Sequence, residues 1–508
     1  MRLFFGLISL TLLLPIGCID PLIKPIEQNS APYSEQYRPQ FHFSPKTSWM
    51  NDPNGLVFHK DQYHLFYQYY PDSTVWGPMH WGHATSRDLT HWNHEPIALY
   101  PDSLGYIFSG SAVIDHQNTS GLGTEENPAM VAVFTYHNMD GERGGRTDFQ
   151  TQGIAYSLDG GLTWEKYKDN PVIDNPGIKD FRDPKVFWHE PSQKWILVLV
   201  AGDHAQIYQS PNLIDWTFAS SFGHNQGAHG GVWECPDLFA LTTDQGAQKW
   251  VLSVSINPGG PNGGSATQYF VGEFDGTTFS TDQKDIKWLD QGRDNYAGVT
   301  YNDAPNNDRV LLGWMSNWDY AQVTPTAPWR SAMTLARKLE LKVEDANFFL
   351  VQKPILDSAL IAESRQIDPK TLKDGIGLPV ERSRIEFEVD LSQNTVFELY
   401  NNQERFVFTI QGATGQMIVD RRASGQINFS DKFAPGLQQV QYEPQKRNAE
   451  VAVFCDTASI EIFVDSGRYV FTNQVFPQQP YTHLKITADG PLTDNAIFTE
   501  LNSIWHEQ

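Results

Sequence analysis

Short hydrophobic runs separated by turn residues follow one another along most of the chain, and helical periodicity is nearly absent. From residue 37 onward the runs are rich in β-branched and aromatic residues, and Asp-Gly, Asn-Gly and Pro turns separate them. Runs of this kind are typical of β-strands. The pattern therefore predicts an all-β protein.

The first two thirds of the chain contain an internal repeat of a short strand, a turn with Ser, Asp or both, and an aromatic residue. The repeats are "HATSRDLTHW", "IAYSLDGGLTW", "IYQSPNLIDW" and "VGEFDGTTF", which end at Trp92, Trp164, Trp216 and Phe279. Spacings of about 50–70 residues suit a four-stranded blade with variable loops. A fifth unit fits residues 294–335. The repeat predicts a five-bladed β-propeller over residues 37–345.

Three of the units are preceded by a strand that opens with an acid and a proline. These strands read "NDPNGLVF", "RDPKVFW" and "ECPDLFA", whereas the second unit is preceded by "FSGSAVI". The first strand of every propeller blade lines the central axis, so equivalent positions point at one place. We therefore expect Asp52, Asp183 and Glu234 to converge, although they are far apart in sequence.

The C-terminal part of the chain has a different pattern, with strict two-residue alternation. Ile385, Phe387 and Val389 alternate with acids, and Ile460, Ile462 and Val464 share one face of a second segment. Alternation of this kind is typical of antiparallel strands with one buried face. The pattern predicts a β-sandwich over 371–508, joined to the propeller by a linker over 346–370 with one short helix.

The first 18 residues are interpreted as a secretory signal, because a single Arg precedes a short apolar run that ends in Gly-Cys. The position of Cys18 resembles the lipidation site of bacterial lipoproteins, although Pro15 stands where Leu is usual. An ordinary cleaved signal with an incidental Cys18 is the alternative. Residues 19–36 are Pro-rich and polar and are interpreted as a tether. We expect an exported protein, either a membrane-anchored lipoprotein (periplasmic or cell-surface) or a secreted one.

Charge and composition narrow the range of partners. The formal net charge is −23, which argues against nucleic acid and against anionic membrane surfaces other than through a lipid anchor. The many aromatic residues, 15 Trp, 20 Tyr and 30 Phe, suit a neutral sugar. No spacing of Cys or His indicates a metal site, and we expect no cofactor. Cys235 and Cys455 are interpreted as small packing residues.

Three carboxylates around one pocket, without a metal-ligand pattern, indicate the transfer of a glycosyl group to water. This reaction needs one carboxylate as a nucleophile or base and a protonated carboxyl group for the leaving oxygen. Crowding raises the pKa of one acid, which keeps a proton donor loaded. We expect Arg182 to keep the neighbouring Asp183 ionised, so that Asp183 suits hydrogen bonding to sugar hydroxyls.

The motifs "WMNDPNG", "FRDPK" and "WECPD" resemble the three signature motifs of glycoside hydrolase family 32, the β-fructosidases. Further segments such as "FSGSAV", "NYAGVTY" and "WRSAMTLARKL" resemble the family in the same order. The resemblance implies a five-bladed propeller followed by a β-sandwich. It also implies Asp52 as the nucleophile at the anomeric C2, Glu234 as the acid/base, and Asp183 as the residue that stabilises the transition state.

The resemblance further implies a fructose pocket and a substrate class. The matching pocket positions are Asn51, Gln68, Trp76, Phe108, Ser109, Arg182, Tyr296 and Trp314. Phe108 stands where many family members have Trp, so an aromatic wall is kept. Trp76, Phe108 and Trp314 also fit a purely structural role, because propeller cores are rich in aromatics.

The expected substrates are fructans (levan or inulin) and sucrose, and the expected activity is that of a retaining exo-β-fructosidase. The segment 255–276 resembles exo-acting inulinases and levanases of microbes. Alternatives are an endo-acting levanase or inulinase, another five-bladed enzyme such as an arabinan-degrading hydrolase or a fructan-synthesising transferase, and a non-catalytic fructan-binding lipoprotein. The oligomeric state stays open.

Overall fold

Two β-rich bodies follow one another along the chain in this computed structural model, which describes residues 33–442, 448–490, 492 and 496–505. The predicted signal, Cys18 and most of the tether lie outside the described residues. The predicted tether extends to residue 36, but Tyr33 already stacks on Trp505, with ring centroids 3.9 Å apart. Among the described residues, no helix is both long and apolar enough to cross a membrane.

The first body consists of five antiparallel sheets, each built from consecutive strands. Sheet one contains β1 (Ser48–His59), β2 (Gln62–Tyr70), β3 (His80–Ser86) and β4 (Trp92–Leu99). Sheet two contains β5 (Tyr106–Ile114), β6 (Met130–His137), β7 (Gln150–Ser157) and β8 (Glu165–Lys166). Sheet three contains β9 (Phe181–His189), β10 (Lys194–Ala201), β11 (Ala205–Ser210) and β12 (Thr217–Phe222).

The last two sheets of this body include several very short strands. Sheet four contains β13 (Val232–Thr242), β14 (Gln248–Asn257), β15 (Ala266–Phe274), β16 (Phe279–Ser280) and β17 (Lys287–Trp288). Sheet five contains β18 (Tyr296–Thr300), β19 (Val310–Met315), β21 (Ala332–Met333), β22 (Arg337–Glu344) and β23 (Asn347–Pro354). β20 (Trp329–Arg330) pairs with the start of β1 in parallel, and so ties the last repeat to the first.

Five apolar clusters, one between each pair of neighbouring sheets, close these sheets into a ring. The last cluster joins sheet five to sheet one, with Trp49, Met50 and Leu65 on one side and Leu312 and Trp314 on the other. The other four clusters lie between sheets one and two, two and three, three and four, and four and five. Burial of both faces of every sheet is what a closed propeller requires. The predicted five-bladed β-propeller is confirmed.

The boundary between the domains differs from the sequence-based expectation. Residues 347–354, predicted as linker, form β23 and pair with β22 throughout. The two-residue turn between these strands, Asp345 and Ala346, has positive φ at both residues, which suits a tight hairpin. The predicted domain boundary after residue 345 therefore falls inside this hairpin, which joins the last two strands of blade five.

The second body is a sandwich of two six-stranded sheets. One sheet contains β24 (Ile361–Ile367), β35 (Ala496–Leu501), β26 (Ser383–Asp390), β31 (Asn448–Asp456), β32 (Ser459–Val464) and β33 (Tyr469–Gln474). The other contains β25 (Ile376–Gly377), β34 (His483–Ala488), β27 (Thr395–Tyr400), β28 (Arg405–Gln411), β29 (Gln416–Ala423) and β30 (Gln438–Gln441). All six alternating apolar residues of the prediction, and Cys455, are buried in its core.

Helices are short and lie in the connections between strands. They are α1 (Met139–Arg143), α2 (Pro369–Asp374) and the 3-10 helices Glu190–Ser192, Pro305–Asn307, Ala321–Val323, Ser358–Leu360 and Val380–Arg382. The predicted short linker helix corresponds to Ser358–Leu360. Because β24 already pairs with β35 in the sandwich, the connection between the two bodies is only residues 355–360.

Buried charged groups join the propeller to the sandwich. The Arg337 guanidinium bridges Asp290 at 3.1 Å and Glu461 at 2.6 Å. The two ring nitrogens of His42 lie 2.8 Å from carboxylates of Asp456 and Glu461. Removing one partner of such a buried network costs about 3–5 kcal/mol, because it leaves an unpaired charge. The two bodies are therefore held in a defined relation.

Candidate active site

The first strand of every blade has an irregular register near the same end of the axis. Pairing shifts occur between Met50 and Pro53 in β1 and between Glu234 and Asp237 in β13. Corresponding shifts occur in β5, β9 and β18. Bulges of this kind redirect side chains and are common next to active sites.

The irregularities contain a repeated residue pattern. Each irregular stretch contains a proline or glycine at or next to its end: Pro53, Gly110, Pro184, Pro236 and Gly298. Proline has no N–H for the ladder, so a bulge is one of the few places in a sheet that accepts it. The residues directly before these form the axial ring: Asp52, Ser109, Asp183, Cys235 and Ala297. The residues one position earlier form the second ring: Asn51, Phe108, Arg182, Glu234 and Tyr296.

Asp183, Cys235 and Ala297 of the axial ring have left-handed backbone conformations, with φ of 63°, 45° and 53°. Such conformations cost a non-glycine residue about 1–3 kcal/mol and occur mostly at functional sites. The surrounding sheets must provide this energy. The same backbone conformation at these three positions indicates that the propeller holds their side chains toward the axis.

Hydrogen bonds connect the members of the axial ring. Ser109 Oγ donates to Asp52 Oδ2 at 2.7 Å, and the Asn51 amide donates to Asp52 Oδ1 at 3.0 Å. The backbone N–H of Cys235 donates to Asp183 Oδ2 at 2.9 Å. Cys235 Sγ lies 3.5 Å from Asp52 Oδ2 and 3.7 Å from Asp183 Oδ2. Cys235 therefore contacts two of the three predicted acids, and is more than a packing residue.

Glu234 belongs to the second ring and not to the axial ring. Counted from the proline, its position corresponds to Asn51 and Arg182, while Cys235 occupies the position of Asp52 and Asp183. The Glu234 carboxylate nevertheless points to the same region as Asp52 and Asp183. There it accepts a hydrogen bond from Arg182 Nη2 at 2.9 Å and another from the Tyr296 hydroxyl. The three acids converge as expected, but Glu234 arrives from a different position in its strand.

Arg182 pairs with other carboxylates more closely than with its neighbour Asp183. Its Nη1 donates to Asp180 at 2.7 Å and its Nη2 to Glu234, whereas its Nε lies 3.8 Å from Asp183. Burial raises the pKa of Asp183 to about 7, and the charges of Glu234 and Asp52 add to the rise that Arg182 opposes. Arg182 opposes this rise without cancelling it, so Asp183 changes its charge around neutral pH, whereas we expected it to stay ionised there.

Burial also raises the pKa values of Asp52 and of the Tyr296 hydroxyl. Burial, followed by the charge of Glu234, raises the pKa of Asp52, and hydrogen bonds from Ser109 and Asn51 offset part of the rise. The pKa of the Tyr296 hydroxyl is raised well above its usual value by burial and by Glu234. Tyr296 consequently remains a proton donor toward Glu234 over the whole neutral range.

A cavity of about 220 Å³ opens where the two rings meet. Nine of the predicted residues line it: Asn51, Asp52, Gln68, Trp76, Phe108, Ser109, Arg182, Asp183 and Glu234. Tyr296 reaches the site through its bond to Glu234. The Gln68 amide is oriented by donating to Asn54 at 2.8 Å and to the carbonyl of Ile107 at 3.0 Å.

Trp314 is the one predicted pocket residue that the structure places elsewhere. Its side chain is fully buried and packs between Trp49 and Trp318, with a centroid distance of 4.9 Å to the latter. Trp318, four residues later, is partly exposed and lines the cavity instead. Both tryptophans occur in "LLGWMSNWDY". Because β19 ends at Met315, Trp314 stays in the core and Trp318 reaches the cavity.

Four further cavity residues were missed from the sequence: His137, Glu142, Gln150 and Asp180. His137 stacks on Phe108, with centroids 4.1 Å apart and planes 6° apart. Gln150 donates to His137 Nδ1 at 3.1 Å, so His137 Nε2 is the nitrogen that donates to Glu142. Burial, then Arg182, lowers the pKa of His137 to about 4. Asp180 stood two residues before Arg182, and this spacing was the available signal.

The donor set of the cavity suits acid–base chemistry. One group of acid and histidine side chains within the described residues could share an ion, namely Asp88, His91 and Asp357, and it includes no residue of the cavity. Carboxyl groups with perturbed pKa values, together with an aromatic wall and neutral amides, can bind a sugar and cleave its glycosidic bond. Fold and site together define a propeller glycosidase.

Comparison with known families agrees with this class. Residues 42–354 match the N-terminal domain of glycosyl hydrolases family 32, and residues 358–505 match the C-terminal domain of the same family. The chain therefore belongs to glycosyl hydrolase family 32, and it is a glycoside hydrolase of the β-fructosidase type.

Two relatives and one solved structure illustrate the similarity. The levanase of Bacillus subtilis (strain 168) is 43% identical over 496 residues, which cover 94% of this chain and 72% of that protein. The extracellular exo-inulinase of Aspergillus awamori is 41% identical and covers 93% of this chain and 96% of its own length. The β-fructofuranosidase from Schwanniomyces occidentalis complexed with fructosyl-erythritol has a TM-score of 0.84 and 34% identity, covering 93% and 99% of the two chains.

Proposed function

We propose that this protein is a retaining exo-β-fructosidase that releases terminal fructose from fructans, levan or inulin, and also cleaves sucrose. Asp52 attacks C2 of the terminal fructosyl unit while Glu234 protonates the departing oxygen, which leaves a fructosyl-enzyme ester. Glu234 then takes a proton from water, which attacks C2 and regenerates the free Asp52 carboxylate. The observation that carries the proposal is the convergence of Asp52, Asp183 and Glu234 on one small cavity.

The hydrogen bonds of the two acids suit these different roles. Asp52 accepts from Ser109 and Asn51, and donors of this kind stabilise the ionised form that a nucleophile needs. Glu234 accepts from the Tyr296 hydroxyl and from Arg182, which fix its orientation toward the cavity. An oriented acid/base near C2 is the second requirement of the reaction.

The remaining residues are assigned to sugar binding. Asp183, Arg182, Asn51 and Gln68 supply hydrogen-bonding groups for the ring hydroxyls, and Trp76 and Phe108 form an apolar wall. We add Trp318 to this set in place of Trp314. Because C2 is a ketal carbon, an oxocarbenium-like state forms readily there, and positioning contributes most of the remaining acceleration.

The exo mode and the substrates rest on the size of the cavity and on the relatives. A volume of about 220 Å³ suits one terminal sugar unit and not a segment of polymer. Relatives over nearly the whole chain are called levanase and exo-inulinase. These two observations favour release of single fructose units from either fructan.

Product analysis tests this proposal directly. The chain without its first 18 residues is incubated with levan, inulin and sucrose, and early products are separated by chromatography. We expect free fructose within the first minutes, without intermediate oligosaccharides, and the relative rates then name the preferred substrate. A ladder of oligosaccharides would indicate an endo enzyme. No product from any of the three would point to another glycan or to a binding role.

Export and anchoring are the last part of the proposal. We propose that residues 1–18 are a secretory signal and that Cys18 is lipidated, which places the enzyme at a bacterial membrane facing the periplasm or the medium. The full chain and its Cys18→Ala variant are compared by fractionation after labelling with a radioactive fatty acid. We expect label and membrane association to disappear in the variant; equal labelling of both would contradict lipidation at Cys18.

A further inference from the structure

A second and larger cavity opens at the mouth of the propeller axis opposite to the active site. Its volume is about 920 Å³, against about 220 Å³ for the catalytic cavity. The inner strands run from one mouth to the other: β9 holds Asp183 near its start and Trp188 near its end, roughly 16 Å apart at ~3.3 Å per residue. We call this cavity the opposite groove, and define it by Phe187, Trp188, Trp250, Gln117, Gln248 and Asn306.

The two cavities are separated by buried groups on the axis. Lys185 Nζ lies 3.1 Å from Asp237 Oδ2 and also donates to the carbonyl of Thr300. Asn302 Nδ2 donates to the carbonyls of Ala112 and Val186 and so connects three blades. A ligand in the opposite groove is therefore not in contact with the catalytic carboxylates.

Aromatic rings held by packing form the floor of the opposite groove. Trp188 and Trp250 are half-buried; Trp188 packs on Trp195 at a centroid distance of 5.2 Å, and Trp250 packs on Phe274 at 5.0 Å. The Trp188 indole N–H donates to Glu190 at 2.7 Å, which fixes the ring further. Binding sites for small neutral ligands combine such apolar faces with a few polar groups.

Neutral amides form the rim of the groove. Gln117, Gln248, Asn306 and Asn307 are exposed, and within the described part of the chain their side chains make no hydrogen bond. Each amide offers donors and an acceptor together, and so matches a hydroxyl group, which also does both. A polyhydroxylated ligand fits such a rim better than an apolar one.

The acidic lining of the opposite groove argues against nucleic acid and anionic lipid as its ligands. Glu190, Asp275 and Asp303 also line the groove, and the chain carries a formal net charge of −23. Nucleic acid and anionic lipid are repelled by such a surface. Arg309 lines the same cavity without an ion pair or side-chain hydrogen bond to a described residue, and can donate to a hydroxyl. A neutral carbohydrate is compatible with these charges and matches the amide rim.

We propose that the opposite groove is a second carbohydrate-binding site, which holds an internal stretch of a fructan chain while the catalytic cavity hydrolyses chain ends. The inference rests on the proposed function, because it takes its ligand from the proposed substrate class. Binding at a second site keeps the enzyme on the polymer and raises the effective concentration of chain ends. Sucrose is too small to benefit.

Affinity electrophoresis of an inactive enzyme tests the binding itself. The Asp52→Asn chain is run through gels that contain levan or inulin, with excess sucrose present to occupy the catalytic cavity. We expect retardation of this parent, and about tenfold weaker binding after Trp188→Ala or after the combined Gln117→Ala and Asn306→Ala changes. Phe218→Ala, which removes an aromatic side chain that is 53% exposed outside both cavities, serves as the matched control.

Kinetics separate this inference from the proposed function. On the active background, we expect Trp188→Ala to raise KM for the polymer about fivefold or more relative to KM for sucrose. The amide variant gives the same readout without any loss of packing. Two results of the electrophoresis would overturn the second site. One is equal retardation of the Asp52→Asn parent and its variants, and the other is no retardation of this parent when sucrose is present. Hydrolysis of fructan by the enzyme with Asp52 intact would then still support the proposed function.

Discussion

Asp52 shows at the scale of one residue how a sequence typical of a turn can place a carboxylate in the candidate active site. Asn51-Asp52-Pro53 would suit a simple turn, yet it lies inside β1, where the register shift aims the carboxylate at the axis. Ser109 reaches it from the next blade. Neighbours contributed by a different blade distinguish this Asp from a turn residue.

We expect Asp52→Asn to lower kcat by three orders of magnitude or more, because the amide cannot form the fructosyl ester. The measurement is the initial rate on sucrose, together with circular dichroism to show an intact fold. Asp61→Asn, at the exposed turn after β1, is the matched control and should keep its activity. Appreciable turnover by folded Asp52→Asn would rule this residue out as the nucleophile.

The proposed role of Glu234 as the acid predicts that the effect of its replacement depends on the leaving group. Glu234→Gln cannot protonate the departing oxygen, so we expect a loss of about 10²–10⁴ in kcat on sucrose. The loss should be much smaller on an aryl fructoside, whose leaving group needs no proton. Comparable losses on both substrates would mean that Glu234 does not act as the acid.

Asp183 makes the stability of the protein depend on pH. Its pKa is about 7 in the folded chain and near 3.8 in the unfolded one, so ionising it in place costs stability. The cost is absent below about pH 4 and complete above pH 7, where it reaches about 4 kcal/mol. We expect Asp183→Asn to raise the free energy of unfolding at pH 8 but not at pH 4.

Urea denaturation at these two pH values measures the effect, with Asp61→Asn as the control. A variant that is stabilised equally at both pH values would show that the folded-state pKa of Asp183 is not raised. A gain in stability at the expense of activity is common when a strained active-site residue is replaced.

At the scale of the element, the repeated bulge explains most of the site. Five inner strands carry it at one depth, and the axial and second rings contain eight of the eleven residues predicted for the site. Proline at three of the bulges is the sequence trace of this geometry, since a regular central strand would exclude it. An acid one or two residues before such a proline therefore marked the three carboxylates that line the cavity.

Trp314 lies in β19 and Trp318 lies after its end, so we expect different effects when each is replaced by alanine. Trp318→Ala removes a cavity wall, so we expect a KM increase of about fivefold or more, with a smaller loss of stability than Trp314→Ala because Trp318 is partly exposed. Trp314→Ala leaves a hole in the core between blades five and one, and we expect a loss of about 3–5 kcal/mol. Sucrose kinetics and thermal unfolding of both variants provide the comparison. The reverse assignment of the two effects would contradict the placement of the tryptophans.

At the scale of the whole molecule, the buried His42 makes the stability of the contact between propeller and sandwich depend on pH. Burial alone would lower the pKa of His42, but hydrogen bonds to Asp456 and Glu461 outweigh it and raise the pKa to about 9. Protonated His42 stabilises the folded state. This contribution is complete below about pH 6.5 and is lost as the pH rises to about 9. The expected loss over this window is about 3 kcal/mol.

We expect the free energy of unfolding to fall between pH 6.5 and 9, and His42→Gln to flatten the fall. His229→Gln, at an exposed site, is the control. Denaturant titrations at pH 6, 7.5 and 9 give the slopes. An equally steep fall in His42→Gln would show that this interface does not carry the pH dependence.

Local and repeating features were readable from the chain by itself. The all-β class, the five repeats, the sandwich and the three acids follow from periodicity and from motifs of a few residues, because each motif reports a backbone geometry that recurs in every blade. The family followed from the same motifs in the same order.

Properties that depend on neighbours from other parts of the chain were decided only by the tertiary structure. The offset of Glu234, the partners of Arg182, the exchange of Trp314 for Trp318 and the raised pKa of Asp183 all depend on which groups meet across blades. The opposite groove is a further case, since its lining comes from four blades. Burial and charge act through distances in space, and these distances are fixed only when the ring of blades closes.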